Sequence, residues 1–341
     1  LAFQPAPDDT LTRDWLAGIQ PNDTLSIYVH VPFCDRLCWY CGCHTSVPNG
    51  YDRIADFLGH LAGEMALWSD AMPTHAGVAH VHFGGGSPNS LSRDDFSGLL
   101  ASIGAATVEV HRPLRVAVLS SGDELVQPGE PLQAGQLYNS NQYTIVSTLE
   151  AQGFDVHDAG TLPDNLVATR LRLAELAESA DVVISSGGVS VGEEDHLKAA
   201  VEAEGRMVLW KLGIKPGKPL AFGYVGATPF IGLPGNPVAV WVTLLLAALP
   251  WLRWRQGEDY APPLPQAVPC AFSRKAGKRR EYLRVQRQQT AEGLRLVAYP
   301  NQSSGVLSSV SWSDGMAWQE VGQVVSEGDS LPFVSYAEWL G

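Results

Sequence analysis

The chain has 341 residues, 45% of them apolar and 17% charged, with a net charge of −13 at neutral pH. That length can bury two or three hydrophobic cores, and the acidic balance argues against a nonspecific grip on nucleic acid or an anionic membrane. The opening "LAFQPAPDDT" has neither the basic start nor the apolar stretch of a secretory leader. The longest apolar run, "VAVWVTLLLAALPWL" at 238–252, is short for a bilayer and carries Pro250, so a cytoplasmic protein with a buried helix is expected.

The first element in chain order is "TLSIYVHVPF", whose alternation predicts a strand. It runs into "CDRLCWYCGC" at 34–43, which holds four of the five cysteines. Disulfides between cysteines so close would be strained, and they are rare in a reducing compartment. Structural zinc usually takes two separated ligand pairs, and no second pair follows. The spacing of Cys34, Cys38 and Cys41 suits three irons of a four-iron cluster, with the fourth iron open for chemistry. A helix is expected over 51–69, then a strand "GVAHVHF" ending in Gly84, Gly85, Gly86, Ser87 and Pro88. Three glycines let backbone approach a ligand, although a triple glycine is often a plain turn.

The strings "YVHVPFCDRLCWYCGCHT" and "HFGGGSPNSL" closely resemble the start of the oxygen-independent coproporphyrinogen III dehydrogenases of the radical S-adenosylmethionine superfamily, over about Leu11 to Ser97. The resemblance extends to the extra Cys43, while Ser87 stands where Thr is usual. It implies a 4Fe-4S cluster on Cys34, Cys38 and Cys41, with Gly84, Gly85 and Gly86 lining the amino end of S-adenosyl-L-methionine. A βα unit takes about 30 residues, so residues 25–104 hold only part of that family's barrel. A partial (βα) barrel fragment leaves strand edges unpaired, and catalysis is not expected of it.

A different pattern starts near Arg112. Strands "LRVAVLSS", "FDVHDAG" and "ADVVISSGG" alternate with helices over 140–152, 165–178 and 194–204, followed by strands "MVLWKLG", "PLAFGYV" and "TPFIGL" and a helix after "PGNP". This order predicts a three-layer α/β domain with a mainly parallel sheet. Ligands of such sheets bind beyond the C-terminal ends of the strands. Chemistry-bearing residues follow those ends: Asp123 and Glu124, then Asp164, then Gly187, Gly188 and Ser190 leading to Asp195 at a helix start, where exposed amides attract phosphate. "KLGIKPGKP" then brings Lys211, Lys215 and Lys218 together, and Pro234, Gly235 and Pro237 form a stiff turn. Singly, Asp164 and Asp195 read as helix caps and the lysines as solvated turn residues. Jointly they suggest a polyanion with a divalent metal, for which magnesium suits oxygen ligands best.

From about Ile103 to the C-terminus, "SSGDEL", "SSGGVSVGEED", "KPGKPLAFG" and "GLPGNPV" closely resemble the molybdopterin molybdenumtransferases. That family takes adenylylated molybdopterin and molybdate, cleaves the adenylate with the help of Mg2+, and releases the molybdenum cofactor. The resemblance implies catalytic roles for Glu124, Asp164, Asp195, Lys211, Lys215 and Lys218, and magnesium contacts from Asp195 and Glu124. It also implies a pocket shaped by Gly187, Gly188, Ser190, Pro234, Gly235 and Pro237, and a homodimer formed through the α/β domain. Asn165 stands where a second acid is common and is not assigned to metal.

From Pro262 onward, "EYLRVQRQ" and "GLRLVAYP" predict a small β-barrel or sandwich, with "SRKAGKRREYLR" as a solvated hairpin rim and Cys270 buried or inert. The expected division is 1–102, 103–256 and 257–341. In the transferase family two further domains precede the α/β domain, and here the barrel-like segment stands in their place, so the chain reads as a fusion of two gene fragments. Three functions compete: a molybdenum-inserting transferase, a cluster-dependent radical enzyme, and a noncatalytic molybdopterin-binding or scaffolding module. The partner in the first and third is a small pterin.

Overall fold

A computed structural model describes residues 10–34, 44–86, 90–103, 111–188, 196–258, 260–291 and 293–341. Of the residues singled out above, Cys38, Cys41, Cys43, Ser87, Pro88, Ser190 and Asp195 lie outside these segments. The chain divides into two compact units, Leu1–Val110 and His111–Gly341.

The first unit comprises α1 (Thr10–Ala17), β1 (Leu25–Val31), α2 (Asp52–Ala71), β2 (Val78–Gly85) and α3 (Arg93–Ser102). β1 and β2 pair in parallel, with Tyr28 opposite His82. The alternation seen in the sequence sorts the side chains of β1. Val29 and Val31 are buried with Phe33, Ile54 of α2 and Leu99 of α3, while Tyr28 and His30 take the other face. Ser92 caps α3 by accepting the Asp95 amide, and the Tyr51 hydroxyl donates to the Asp95 carboxylate. The described part of this unit is therefore one βαβ unit with a following helix.

The second unit begins with β3 (Arg115–Ser121), β4 (Leu125–Val126), β5 (Leu137–Tyr138), α4 (Ser140–Ala151), β6 (Asp155–Leu162), α5 (Leu166–Ser179), β7 (Val182–Ser186), α6 (His196–Glu204), β8 (Gly205–Lys211), β9 (Ile214–Lys215), β10 (Pro219–Val225) and β11 (Thr228–Leu233). Six of these strands form a mixed sheet in the order β6-β3-β7-β11-β10-β8. The first four run parallel, and β10 is antiparallel to both of its neighbours. β3 and β7 are apolar on both faces because both faces are covered. Val116, Val118, Val182 and Ile184 pack toward α4, and Ala117, Leu119 and Val183 pack toward Leu173 and Leu176 of α5 and Leu197 of α6.

The apolar run expected to be a buried helix is α7 (Pro237–Thr243), a single π turn at Leu244–Ala248, and α8 (Leu249–Arg255). Pro250 lacks an N–H in this stretch, and the wider π turn just before it accommodates the lost hydrogen bond. Among the described residues this is the one helix long and apolar enough to cross a membrane. Its Val238, Val240, Val242, Leu245, Leu249 and Leu252 are instead buried in the core of this unit.

The chain ends with β12 (Gln266–Pro269), β13 (Arg280–Thr290), β14 (Gly293–Ala298), α9 (Ser308–Trp312), β15 (Gly315–Gln319), β16 (Ser330–Ser335) and α10 (Tyr336–Leu340). The strands order as β12-β16-β15-β13-β14, β9 joins by pairing with β13, and a bridge between Cys270 and Leu296 links the two ends of the path. Cys270 is buried, as expected.

The basic stretch is a solvated rim only in part: Lys275, Lys278 and Arg280 are exposed, but its arginines are engaged. Arg274 pairs with Glu281 at 2.8 Å and Arg280 with Glu320 at 2.8 Å, and Arg279 donates to the Ile214 carbonyl at 2.9 Å. Arg284 is fully buried and donates to the Ser309 hydroxyl and to the carbonyls of Tyr282 and Ser303. Burial pushes its guanidinium down to about 10. Burial on β13 is confined to 281–285, the stretch paired with β15, whereas Arg280 and 287–289 on the same strand are exposed.

The start of the second unit is pinned by Asp181, which accepts from Arg112 at 2.5 and 2.6 Å and from the Arg115 amide at 2.9 Å. The Arg112 hydrogen bond holds the Asp181 carboxyl well below the usual range. A carboxyl depressed on folding stabilises above its unfolded value and loses that contribution as the pH falls below it. Asp181→Asn is therefore expected to lower stability by about 1 kcal/mol at neutral pH. In thermal melts recorded against pH, the gap to the unaltered chain should close on acidification; a gap that stays constant or widens contradicts this role.

Candidate functional site

All four parallel strands end at one edge of the central sheet, and the turns that follow them form the candidate site. β3 ends in Ser120 and Ser121. The Ser120 hydroxyl lies 3.0 Å from that of Ser186 at the end of β7, and the Ser121 hydroxyl donates to Asp164 beyond β6 at 3.0 Å. The Asp164 amide in turn donates to the Asp123 carboxylate at 3.0 Å. Asp164 is not the cap of α5; that role falls to Asn165, whose side chain accepts the Ala168 amide. Asp123, Glu124 and Asp164 are all exposed, so the acids form an open cluster at the β6–β3 end of the edge.

Two turns fill the middle. Gly187 and Gly188 have φ of +82° and +63°. A Cβ on Gly187 would lie 2.4 Å from the Ser121 carbonyl oxygen, and one on Gly188 would lie 2.3 Å from Leu197. The Gly187 amide donates to the Leu233 carbonyl at 3.2 Å. These glycines are thus required by close packing of the strand ends, and the Gly187 amide is engaged rather than open to phosphate. Beyond β11, Pro234 is buried and Gly235 exposed, with Pro237 opening α7. Asn141, in the first turn of α4, donates to the Gly235 carbonyl at 2.7 Å. Its own carbonyl oxygen is buried without a hydrogen-bond partner. The neighbouring Gln142 donates to Asp158 at 2.5 Å.

The lysines occupy the other end. β8 runs in the same sense as β11, so its last residue, Lys211, reaches the same edge. Strands lie ~4.8 Å apart, so four strand spacings put Lys211 roughly 19 Å from the end of β3. Acids and lysines share an edge, a span suited to an elongated ligand rather than to one small anion. The Leu212 amide donates to the Lys218 carbonyl at 2.9 Å, closing the lysine loop. Lys215 is paired with Glu281 at 3.1 Å, whereas Lys211 and Lys218 form no ion pair among the described residues.

For magnesium, no three acidic, histidine or cysteine side chains converge among the described residues. Of the pair expected to hold magnesium, Glu124 is exposed and Asp195 lies outside the described residues.

In the first unit, Cys34 accepts a hydrogen bond from the Thr45 hydroxyl at 3.4 Å, near the end of β2, where Gly84 and Gly85 still pair with β1 and Gly86 follows. A Cβ on these glycines would meet the Tyr28 hydroxyl at 2.8 Å, the His30 ring at 2.5 Å and the Phe33 carbonyl at 2.2 Å. Packing against the unit's own residues accounts for the triple glycine. Ser121, Asn141 and Glu281 escape the sequence reading. The first two carry a faint signal, a polar residue at the end of a buried strand and one in a helix's first turn, while Glu281 carries none.

Residues 117–254 match the family described as the probable molybdopterin binding domain, and residues 267–336 match the MoeA C-terminal region (domain IV). A molybdopterin molybdenumtransferase from Haemophilus influenzae is 45% identical over 188 residues, covering 54% of this chain and 46% of that protein. An oxygen-independent coproporphyrinogen III oxidase from Bradyrhizobium diazoefficiens is 38% identical over 101 residues, covering 30% of this chain and 22% of that one. The solved molybdopterin biosynthesis moea protein from Pyrococcus horikosii superposes with a TM-score of 0.59 at 26% identity, covering 72% of this chain and 60% of that one. The chain therefore spans under half the length of these two curated relatives.

The packing at the strand ends separates two glycines of the candidate site. Gly187→Ala is expected to cost about 3 kcal/mol, from left-handed backbone and collision with a carbonyl. Gly235→Ala, whose added Cβ would meet Gly187 only at 3.7 Å, should change stability by less than about 0.5 kcal/mol. Denaturant midpoints read both, and equal effects would refute the steric account of the edge.

Proposed function

We propose, from the MoeA-family molybdopterin molybdenumtransferases that two domain models and the curated relatives support, that this chain works in molybdenum cofactor biosynthesis. Its reaction is the insertion of molybdate into adenylylated molybdopterin with release of AMP. The observation that carries this reading is the shared edge: exposed carboxylates at the β6–β3 end and, at the β10–β8 end, the ammonium groups of Lys211 and Lys218, which form no ion pair among the described residues, joined by turns without bulky side chains.

On this reading a pterin linked to adenosine through pyrophosphate lies along the edge. Asp164, oriented by the Ser121 hydroxyl, and Glu124 order the attacking oxygen at the adenylate. Lys211 and Lys218 offset charge that builds on the phosphate oxygens as AMP leaves. Pro234, Gly235 and Pro237 form the wall, held through the Asn141 contact to Gly235. Ser190 and Asp195 keep the roles implied by the resemblance, and the protein acts as a homodimer through its α/β domain. The likeness of part of the chain to a coproporphyrinogen III oxidase adds no step to this reaction.

The test is molybdate-dependent release of AMP from adenylylated molybdopterin by the full chain, followed chromatographically. Asp164→Asn should slow release about a hundredfold while leaving the melting temperature nearly unchanged. Tight pterin binding without AMP release would replace the transferase with a binding module; neither binding nor release would remove the reading altogether.

A further inference from the structure

The sequence treats Lys211, Lys215 and Lys218 as equivalent anion-binding groups, but the structure does not. β9 (Ile214–Lys215) lies in the middle of the lysine loop, and it pairs in parallel with the start of β13, Lys215 opposite Glu281. The Lys215 ammonium sits 3.1 Å from the Glu281 carboxylate, and the same carboxylate oxygen accepts from Arg274 at 2.8 Å. The Glu281 side chain is only 9% exposed. A carboxylate withdrawn from water this far is stable only when paired, and removing one partner leaves costly unpaired charge. Arg279 adds a further tie to the Ile214 carbonyl. From the opposite side Gly217, at φ +106°, packs so closely on Thr243 of α7 that a Cβ would come within 2.6 Å. The loop is therefore clamped at its middle, while Lys211 and Lys218 at its two ends form no ion pair among the described residues.

We propose that the trio is divided: Lys211 and Lys218 meet the ligand's phosphate groups, whereas Lys215 is a strut, and Glu281 is a positioning residue that sets the loop through it. The first half rests on the transferase reading, and the second stands on the contacts alone. The geometry follows from charge. The Lys215 side chain is 51% exposed, but its charge is already met by a carboxylate that also neutralises Arg274, so it attracts an added anion less than Lys211 or Lys218, which form no ion pair among the described residues. The C-terminal β domain thereby shapes an edge built by the α/β domain.

The chain has six lysines, at 198, 211, 215, 218, 275 and 278, so acylation of each amine in the intact protein is readable by mass spectrometry. Two variants are compared with the unaltered chain, Glu281→Gln and the milder Glu281→Asp, with and without inorganic pyrophosphate. The expected result is a several-fold rise in labelling of Lys215 in Glu281→Gln, a smaller rise in Glu281→Asp, and no change at Lys198, Lys275 and Lys278, with an unaltered circular dichroism spectrum separating this from general unfolding. Pyrophosphate should protect Lys211 and Lys218 and leave Lys215 unaffected. Unchanged labelling of Lys215 in both variants, or protection of Lys215 as strong as that of Lys218, overturns the division. Lys215 exposed by Glu281→Gln with no lysine protected by pyrophosphate upholds Glu281 as the holder of Lys215 and removes the phosphate-binding edge on which the transferase reading depends.

Discussion

At one edge of the central sheet, strand ends approach so closely that side chains are excluded between them. The Ser121 carbonyl occupies the place a Gly187 side chain would need, and the Gly187 amide continues the pairing of β7 with β11 through Leu233. Because the turns after β3, β7 and β11 are locked together in this way, the residues that follow them have fixed positions. Ser121 then couples the packing to chemistry: its carbonyl lies under Gly187, and its hydroxyl orients Asp164. Asp164 is thus set by the Ser121 side chain, and Asp123 by the Asp164 amide.

The other end of the edge is set by a different force. Lysines placed close in sequence repel unless each has a partner or open water. The chain resolves this by giving the middle lysine a buried carboxylate from β13 and leaving the outer two free among the described residues. Arg284, buried on the same strand, ties Tyr282, Ser303 and Ser309 together, and the Ser304 carbonyl accepts the Val238 amide at the start of α7. The β domain therefore braces both the lysine loop and the proline turn. A reading that assigns the site to the α/β domain alone omits half of its support.

Much of this was legible in the sequence. The alternation of strands and helices after Arg112 predicts the order observed, and boundaries such as 140–152 against Ser140–Ala151 differ only at the fraying end. Adjacent cap-type residues are harder: Asp164 and Asn165 look alike as caps, and only the hydrogen bond to Ala168 separates them. The double glycine is visible as a turn, but whether it frees amides or avoids a collision depends on the neighbouring strand end. Glu281 is beyond the reach of sequence patterning, because its partner lies in another domain and nothing local marks it. The same holds for Arg274 and Arg284, whose partners, Glu281 for the first and Ser303 and Ser309 for the second, no local pattern marks.

The central claim is that a single elongated ligand lies along the edge from Asp164 to Lys218. A crystal structure of the full chain with adenylylated molybdopterin tests this most directly. The account predicts one molecule in contact with both the Asp164 end and the Lys211 or Lys218 end, with Lys215 still on Glu281. A ligand bound away from this edge, or held at one end by Lys215 released from Glu281, would contradict it.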